Sequence, residues 1–133
     1  FAGAVEFKKR LNENNVPWGI VTSGSLKVAS ARIKHAGIPF PEILVTSEDI
    51  HLGKPDPEPF LLGAQRLNIP ATHCIAFEDS NAGLLSASAA GSVVIEVLTP
   101  RSTVHDFDIF STIPDYKNLA VSHKRGAEFF LKI

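Results

Sequence analysis

Four short apolar runs, each followed by polar residues, alternate along this chain with segments of helical periodicity. Near-continuous apolar runs of this length are typical of strands buried on both faces of a parallel sheet. Strands that alternate with helices at such intervals form a parallel sheet with helices on both faces. The sequence therefore predicts a Rossmann-like α/β fold. The predicted strands are residues 18–22, 43–46, 74–77 and 93–97.

Helix signals fill the connections between these runs. Ser25 is placed to cap a helix over residues 26–36, and Gly37 is a favourable C-terminal stop. Asp56 and Pro57 are read as the cap and first-turn proline of a helix that continues to about residue 67. A further helix is predicted over residues 81–90, ending at Gly91, and the apolar spacing of Val5, Phe7 and Leu11 indicates one near the start.

The C-terminal part departs from this repeat. Residues 107–113 are predicted to add a short edge strand, and residues 119–133 alternate apolar and polar positions around Lys124-Arg125-Gly126, which indicates a β-hairpin. A length of 133 residues, 44% of them apolar and 20% charged, fits one globular domain over residues 1–133. The chain opens on Phe1 directly before a helical pattern, so we expect it to be part of a longer protein.

The charge balance excludes some classes of partner. A formal net charge of -1 provides no overall positive field for nucleic acid or an anionic membrane, and the apolar runs are too short to span a bilayer. Cys74 is the single cysteine, which predicts a cytoplasmic, reducing location. The five histidines lack the paired spacing of a zinc site, so structural or surface roles are favoured for them.

Candidate site residues follow from the topology, because ligands of open parallel sheets bind beyond the carboxyl ends of the strands. After the first strand, the turn from Thr22 through Ser23 and Gly24 to Ser25 offers hydroxyls and backbone amides at a helix start, which can hold a phosphate. A capped turn without a ligand explains these residues equally well.

Two further groups follow the later strands. Lys54 could neutralise a bound phosphate, although a solvated surface charge is the more common role of a lone lysine. Glu78 and Asp79 are adjacent acids that repel one another unless they are protonated or bridged by a cation such as Mg²⁺. Favourable placement at the positive end of the next helix is the alternative for this pair.

Together the motifs resemble those of the haloacid dehalogenase superfamily. The segments concerned are Ile20-Val-Thr-Ser-Gly24, Gly53-Lys-Pro-Asp-Pro57 and Phe77-Glu-Asp-Ser-Asn-Ala-Gly83, and the resemblance covers roughly residues 1–100. It implies that Thr22, with the backbone around Ser23 and Gly24, binds the transferring phosphoryl group. It also implies that Lys54 bridges the phosphate and the nucleophile, and that Glu78 and Asp79 hold Mg²⁺.

The first motif of that superfamily, Asp-x-Asp-Gly-Thr after an apolar strand, does not occur in this sequence. The resemblance assigns its two aspartates as nucleophile and general acid-base, and places its strand between the predicted strands 18–22 and 74–77. Asp106-Phe-Asp108 imitates the motif, but Ile109-Phe110 replaces the Gly-Thr turn, so a loop is the better interpretation. We therefore expect a gap in the sheet, to be filled by an upstream segment, another chain or a rearranged sheet.

The resemblance favours a phosphatase that hydrolyses small sugar or polyol phosphate monoesters through an aspartyl-phosphate, with Mg²⁺ as cofactor. A β-phosphoglucomutase-like phosphotransferase and a catalytically inactive phosphate-binding or assembly fragment are the alternatives. A response-regulator receiver domain has similar parts, but its acidic pair precedes the Ser/Thr and Lys-Pro residues, whereas Glu78 and Asp79 come last here. The substrate-selecting cap of the subfamily is expected to lie outside this sequence.

Overall fold

A computed structural model of the chain describes residues 1–123 and 129–132. Helices and strands alternate as the sequence predicts, and the four strands predicted for the repeat are reproduced to within about one residue at each end. The edge strand predicted over residues 107–113 is observed only at residues 111–113. The helices are α1 (Ala4–Glu13), α2 (Leu26–Ala36), α3 (Glu58–Leu67) and α4 (Asn81–Ala89), with a 3₁₀ turn at Ala71–His73. The strands are β1 (Gly19–Val21), β2 (Ile43–Val45), β3 (Ile75–Glu78), β4 (Val93–Val97), β5 (Ser111–Ile113), β6 (Ala120–His123) and β7 (Phe129–Lys132).

Helix ends follow local chemistry. The Ser25 hydroxyl accepts a hydrogen bond from Val28 N at the start of α2, and Gly37 ends that helix with φ 69°, in the left-handed region that glycine tolerates. The predicted start of α3 is wrong by one position, because Pro57 occupies the N-cap. Asp56 still acts beside that end, since its carboxylate accepts from Glu58 N at 2.9 Å.

The parallel strands form two separate sheets. β1 pairs with β2, and β4 pairs with β3 on one side and β5 on the other, all in parallel register. No ladder joins β1 to β3 in the residues that the structure describes. The expected gap is therefore present between these two strands, and we call it the slot.

The backbone groups that face the slot follow from the alternation of strand residues. Thr22 N donates to Val45 O, and Cys74 O accepts from Val93 N, so Thr22 and Cys74 point away from the slot. The peptide groups of Val21, Ile75 and Phe77 consequently point into it. Apart from Val21 O, which accepts a hydrogen bond from Lys54, these slot-facing groups pair with no strand of the described residues, as expected where a strand is absent.

Apolar side chains pack on both faces of the sheets. On one face, α1 and the β6–β7 hairpin cover a cluster that includes Phe7, Ile95 and Val97. On the other, α3 and α4 cover a cluster that includes Ala76, Leu84 and Val94. The predicted two-sided architecture is confirmed.

A crossover without a helix joins β4 to β5. Residues 98–110 cross the face that carries α4, and Phe107 and Ile109 pack there on the cluster around Leu84. His105 Nε2 lies 3.1 Å from Glu96 Oε2, with both side chains less than one-tenth exposed. A buried polar contact and two apolar anchors therefore hold this connection to the sheet.

The C-terminal hairpin is present as an antiparallel β6–β7 pair. Its predicted turn at Lys124-Arg125-Gly126 lies outside the described residues. Among the helices of the described part of the chain, none has the length and apolarity needed to cross a membrane.

Candidate functional site

Lys54 and Glu78 form an ion pair at the carboxyl edge of the sheets. The ammonium group of Lys54 contacts Glu78 Oε1 and also donates to Val21 O at 3.2 Å. Glu78 ends β3 and Val21 ends β1, so the lysine bridges the two sheets across the top of the slot. Both charged side chains are about one-tenth exposed, which makes this pair buried rather than a solvated surface contact. The surface interpretation of Lys54 is wrong for this structure.

The Glu78 carboxylate is enclosed on its other sides as well. Its Oε2 atom accepts from Asp79 N at 3.3 Å and from the Ser80 hydroxyl at 3.4 Å. The first turn of α4 lies directly against the carboxyl group, because a Cβ atom added to Gly83 would overlap it. Ser80 also caps α4 by accepting from Gly83 N.

The turn after β1 lies beside this pair, since Val21 immediately precedes Thr22. The Thr22 hydroxyl accepts from Gly24 N at 3.1 Å, and Gly24 O accepts from Ser47 N at 3.0 Å in the loop after β2. Ser23 is exposed at the tip of the turn. The amides of Ser23 and Ser25 make no hydrogen bond to the described part of the chain, so they are available to an anion.

Some of the backbone amides at the predicted anion-binding turn already donate to groups of the protein. Leu26 N, the first amide of α2, donates to Glu48 Oε1 at 3.0 Å, and Val28 N donates to the Ser25 hydroxyl. The helix start is therefore partly filled by a side-chain carboxylate. No motif or periodicity points to Glu48, because its position follows from the packing of two loops.

The two acids of the predicted metal site have different surroundings. Glu78 is buried, whereas Asp79 is exposed at the start of α4. Tyr116 lies close to both acids. Burial, followed by the negative charges of Asp79 and then Glu78, raises the pKa of its phenol to about 12. Tyr116 follows β5 and stacks on Phe7, so only long-range packing brings it to this edge.

The donor chemistry here fits a magnesium ion. Mg²⁺ prefers hard oxygen ligands, and it binds proteins through one or two carboxylates while keeping several waters. Glu78 and Asp79 supply two such carboxylates at consecutive positions. Within residues 1–123 and 129–132, no group of three or more His, Cys, Asp or Glu side chains is arranged as a metal site, so the remaining ligands would come from elsewhere.

A split parallel sheet with a lysine, a hydroxyl turn and adjacent acids at its carboxyl edge defines an α/β protein with its site at the strand ends. The haloacid dehalogenase-like hydrolase family matches residues 1–91, and the chain belongs to this family. This confirms the resemblance drawn from the motifs.

Individual relatives agree with this assignment. The chain is 50% identical over 130 residues to hexitol phosphatase A of Escherichia coli (strain K12), an alignment that covers 98% of this chain and 60% of that protein. It is 34% identical over 105 residues to glycerol-1-phosphate phosphohydrolase 2 of Saccharomyces cerevisiae, covering 73% of this chain and 42% of that protein. The crystal structure of a hydrolase from Pseudomonas syringae superposes with a TM-score of 0.80 at 26% identity, covering 89% of this chain and 56% of the other.

The chain thus spans about half the length of the relatives that it matches. The structure brings Lys54 and Glu78 into contact and places the Thr22 turn and Asp79 beside them. The predicted proximity of these residues at the carboxyl ends of the strands is therefore observed, while their chemical roles are proposals.

Proposed function

We propose that the intact protein hydrolyses phosphate monoesters of small sugars or polyols through an aspartyl-phosphate intermediate, with Mg²⁺ as cofactor. The observation that carries this proposal is the buried contact of Lys54 with Glu78 beside the Thr22 turn. The names of the relatives, a hexitol phosphatase and a glycerol-1-phosphate phosphohydrolase, support the substrate class. Residues 1–133 form one partial core domain in this proposal, and the nucleophile belongs to a segment that this sequence does not contain.

Each site residue has a proposed part in phosphoryl transfer. The Thr22 hydroxyl and the amides of Ser23 and Ser25 orient the phosphate oxygens, while Gly24, whose amide donates to the Thr22 hydroxyl, shapes the turn. Lys54 supplies a fixed positive charge beside the phosphate, where low exposure strengthens its effect. A bound magnesium ion would neutralise charge that develops on the phosphoryl group. Glu78 and Asp79 would hold that ion.

The proposed function requires a strand that fills the slot. The peptide groups of Val21, Ile75 and Phe77 face it, and one extended strand, parallel to β1 and β3, would pair both inner edges. Such a strand would end at the carboxyl edge beside Lys54. We propose that an upstream segment or another chain supplies it. A cytoplasmic location is a further proposal, which rests on the single cysteine.

Steady-state release of inorganic phosphate tests this function. The intact protein is assayed with Mg²⁺ on hexitol, glycerol and hexose monophosphates, next to a Lys54→Ala variant and a Lys34→Ala control at an exposed position on α2. Lys54→Ala should lower kcat/KM by about 100- to 1,000-fold, as does loss of one donor that stabilises transition-state charge. Lys34→Ala should leave it unchanged.

Three outcomes would contradict the proposal. Equal phosphate release by the Lys54→Ala variant would remove the lysine from the chemistry. Interconversion of hexose phosphates without net phosphate release would favour the phosphotransferase. Inertness of the intact protein on the whole panel would favour a phosphate-binding or assembly module.

A further inference from the structure

Both oxygens of the Glu78 carboxylate are in contact with other groups of the protein. Lys54 holds Oε1, while Asp79 N and the Ser80 hydroxyl donate to Oε2. Gly83 closes the remaining side, because no space for even a Cβ separates α4 from the carboxyl group. A cation that binds Oε1 must therefore share this atom with the Lys54 ammonium or displace it. The Lys54 contact is the one made by a flexible side chain.

Lys54 is itself held incompletely. The ammonium group has three N–H donors and two hydrogen bonds to the described residues, with Glu78 and Val21 O, and it lies 5.1 Å from the centre of the Phe60 ring. An ammonium over an aromatic face gains less than one that donates to an anionic oxygen. An anion seated at the Thr22 turn, directly after Val21, would therefore be a competing partner for the lysine.

We propose that Lys54 is a switch that couples anion binding to cation binding at this edge. This inference rests on the proposed function and concerns the regulation of that same site. In the state observed, the lysine neutralises Glu78 and blocks one of its oxygens. An anion at the Thr22 turn draws the ammonium away and frees that oxygen for a divalent cation. By thermodynamic linkage, the cation must strengthen anion binding by the same factor.

The physical basis is the exclusion of two positive charges from one buried oxygen. Two cations near the same carboxylate repel strongly where water is largely excluded. A buried carboxylate left without a counter-charge is also unfavourable, so Lys54 and the metal ion replace one another rather than leave Glu78 bare. A site built in this way binds its cation weakly until the anion arrives.

Isothermal titration calorimetry on the intact protein tests the switch, because further ligands for the cation would come from outside residues 1–133. MgCl₂ is titrated with and without inorganic phosphate, and free concentrations are corrected for the complex that the two ions form in solution. Lys54→Met removes the ammonium and keeps the length of the side chain. Lys34→Met removes a charge at an exposed position at the far end of α2 and controls for net charge.

In the parent chain and in Lys34→Met, phosphate should tighten Mg²⁺ binding, and Mg²⁺ should tighten phosphate binding equally. Lys54→Met should bind Mg²⁺ alone about fivefold or more tightly than the parent, and the effect of phosphate should shrink by a similar factor. What coupling is left would come from direct contact between the two ions.

Two kinds of failure are distinguishable. Equal Mg²⁺ affinity in Lys54→Met and the parent, or an unchanged effect of phosphate, overturns the switch and leaves the proposed metal site standing. Absence of Mg²⁺ binding in every chain, even with phosphate, overturns the metal site and the switch together. If Lys54→Met does not fold by circular dichroism, Glu78→Gln provides the second test. Releasing Lys54 from the charge pair should then raise phosphate affinity, and unchanged affinity overturns the switch.

Discussion

The first turn of α4 lies in direct contact with the Glu78 carboxyl group at Gly83, where no Cβ can be accommodated. The close approach lets Ser80 cap the helix and also donate to Glu78. Gly83 is therefore required by the side chain at position 78 rather than by its own backbone, which is helical. The position of a proposed metal ligand and the packing of α4 are coupled through this contact.

Gly83→Ala should lower the free energy of unfolding by about 1–3 kcal/mol, the usual cost of overpacking a well-packed site. In a Glu78→Ala background the same change should be neutral, or stabilising by about 0.5–1 kcal/mol, because Ala favours a helix interior over Gly. Urea unfolding of the four chains measures this difference. Gly53→Ala is the matched control, since a Cβ there meets open space. Equal costs in both backgrounds would refute the coupling.

The buried pair of Glu96 and His105 gives a second prediction. His105→Ala would leave Glu96, whose Oε1 already has no hydrogen-bond partner among the described residues, without a partner for Oε2 as well. Leaving a buried polar group without a hydrogen-bond partner should cost about 1–3 kcal/mol. Replacing both residues, as Glu96→Leu with His105→Phe, should cost less than His105→Ala alone. Denaturant unfolding measures both, and a double variant less stable than the single one would contradict an explanation based on the unpaired carboxyl group of Glu96.

Tyr116 is the only tyrosine of the chain, so its ionisation can be followed by ultraviolet absorbance. Burial and the charges of Asp79 and Glu78 raise the pKa of its phenol from 10.0 to about 12. A raised pKa means that the folded state retains a proton that the unfolded state has released. The contribution to stability is complete below pH 10 and is lost as the pH rises towards about 12.

Absorbance titration of the folded chain should therefore give a midpoint near 12, and the urea-unfolded chain should return to about 10. Asp79→Asn should lower the folded midpoint by removing one of the two charges. Burial also lowers the pKa of Lys8, which makes the free energy of unfolding change with pH in the opposite direction. The contribution of Tyr116 to this pH dependence is therefore taken as the difference between the parent and Tyr116→Phe. A folded midpoint at the unfolded value would show that the phenol is solvated.

The extent to which sequence predicted this structure depends on the range of the interactions concerned. Residues 93–97 were predicted as a strand with the observed bounds, because one uninterrupted apolar run is enough to define a buried strand. Helix α2 was bounded correctly by Ser25 and Gly37, which act on their own neighbours. The start of α3 was misplaced because the Asp56 carboxylate accepts from Glu58 N although Asp56 precedes the N-cap, Pro57, by one position.

The site divides in the same way. Strand polarity alone brings Lys54, Glu78 and the Thr22 turn to one edge, so their proximity was predictable. That Lys54 pairs with Glu78 was not, because the bridge to phosphate and nucleophile implied by the resemblance involves groups outside this chain. The contacts of Glu48 with α2 and of His105 with Glu96 come from irregular loops, for which neither periodicity nor a motif gives a signal.

Amide hydrogen exchange gives the last prediction, which concerns the slot. Thr22 N is bonded to Val45 O, and Ala76 N faces β4, whereas the amides of Val21 and Phe77 face the slot. Exchange should therefore alternate along β1 and β3, with fast exchange at Val21 and Phe77 and protection at Thr22 and Ala76. A strand that enters the slot in parallel would bond the slot-facing amides and protect them without changing their neighbours. Uniform protection along β3 in the isolated chain would mean that its inner edge is already paired, and that the two sheets close on one another in solution.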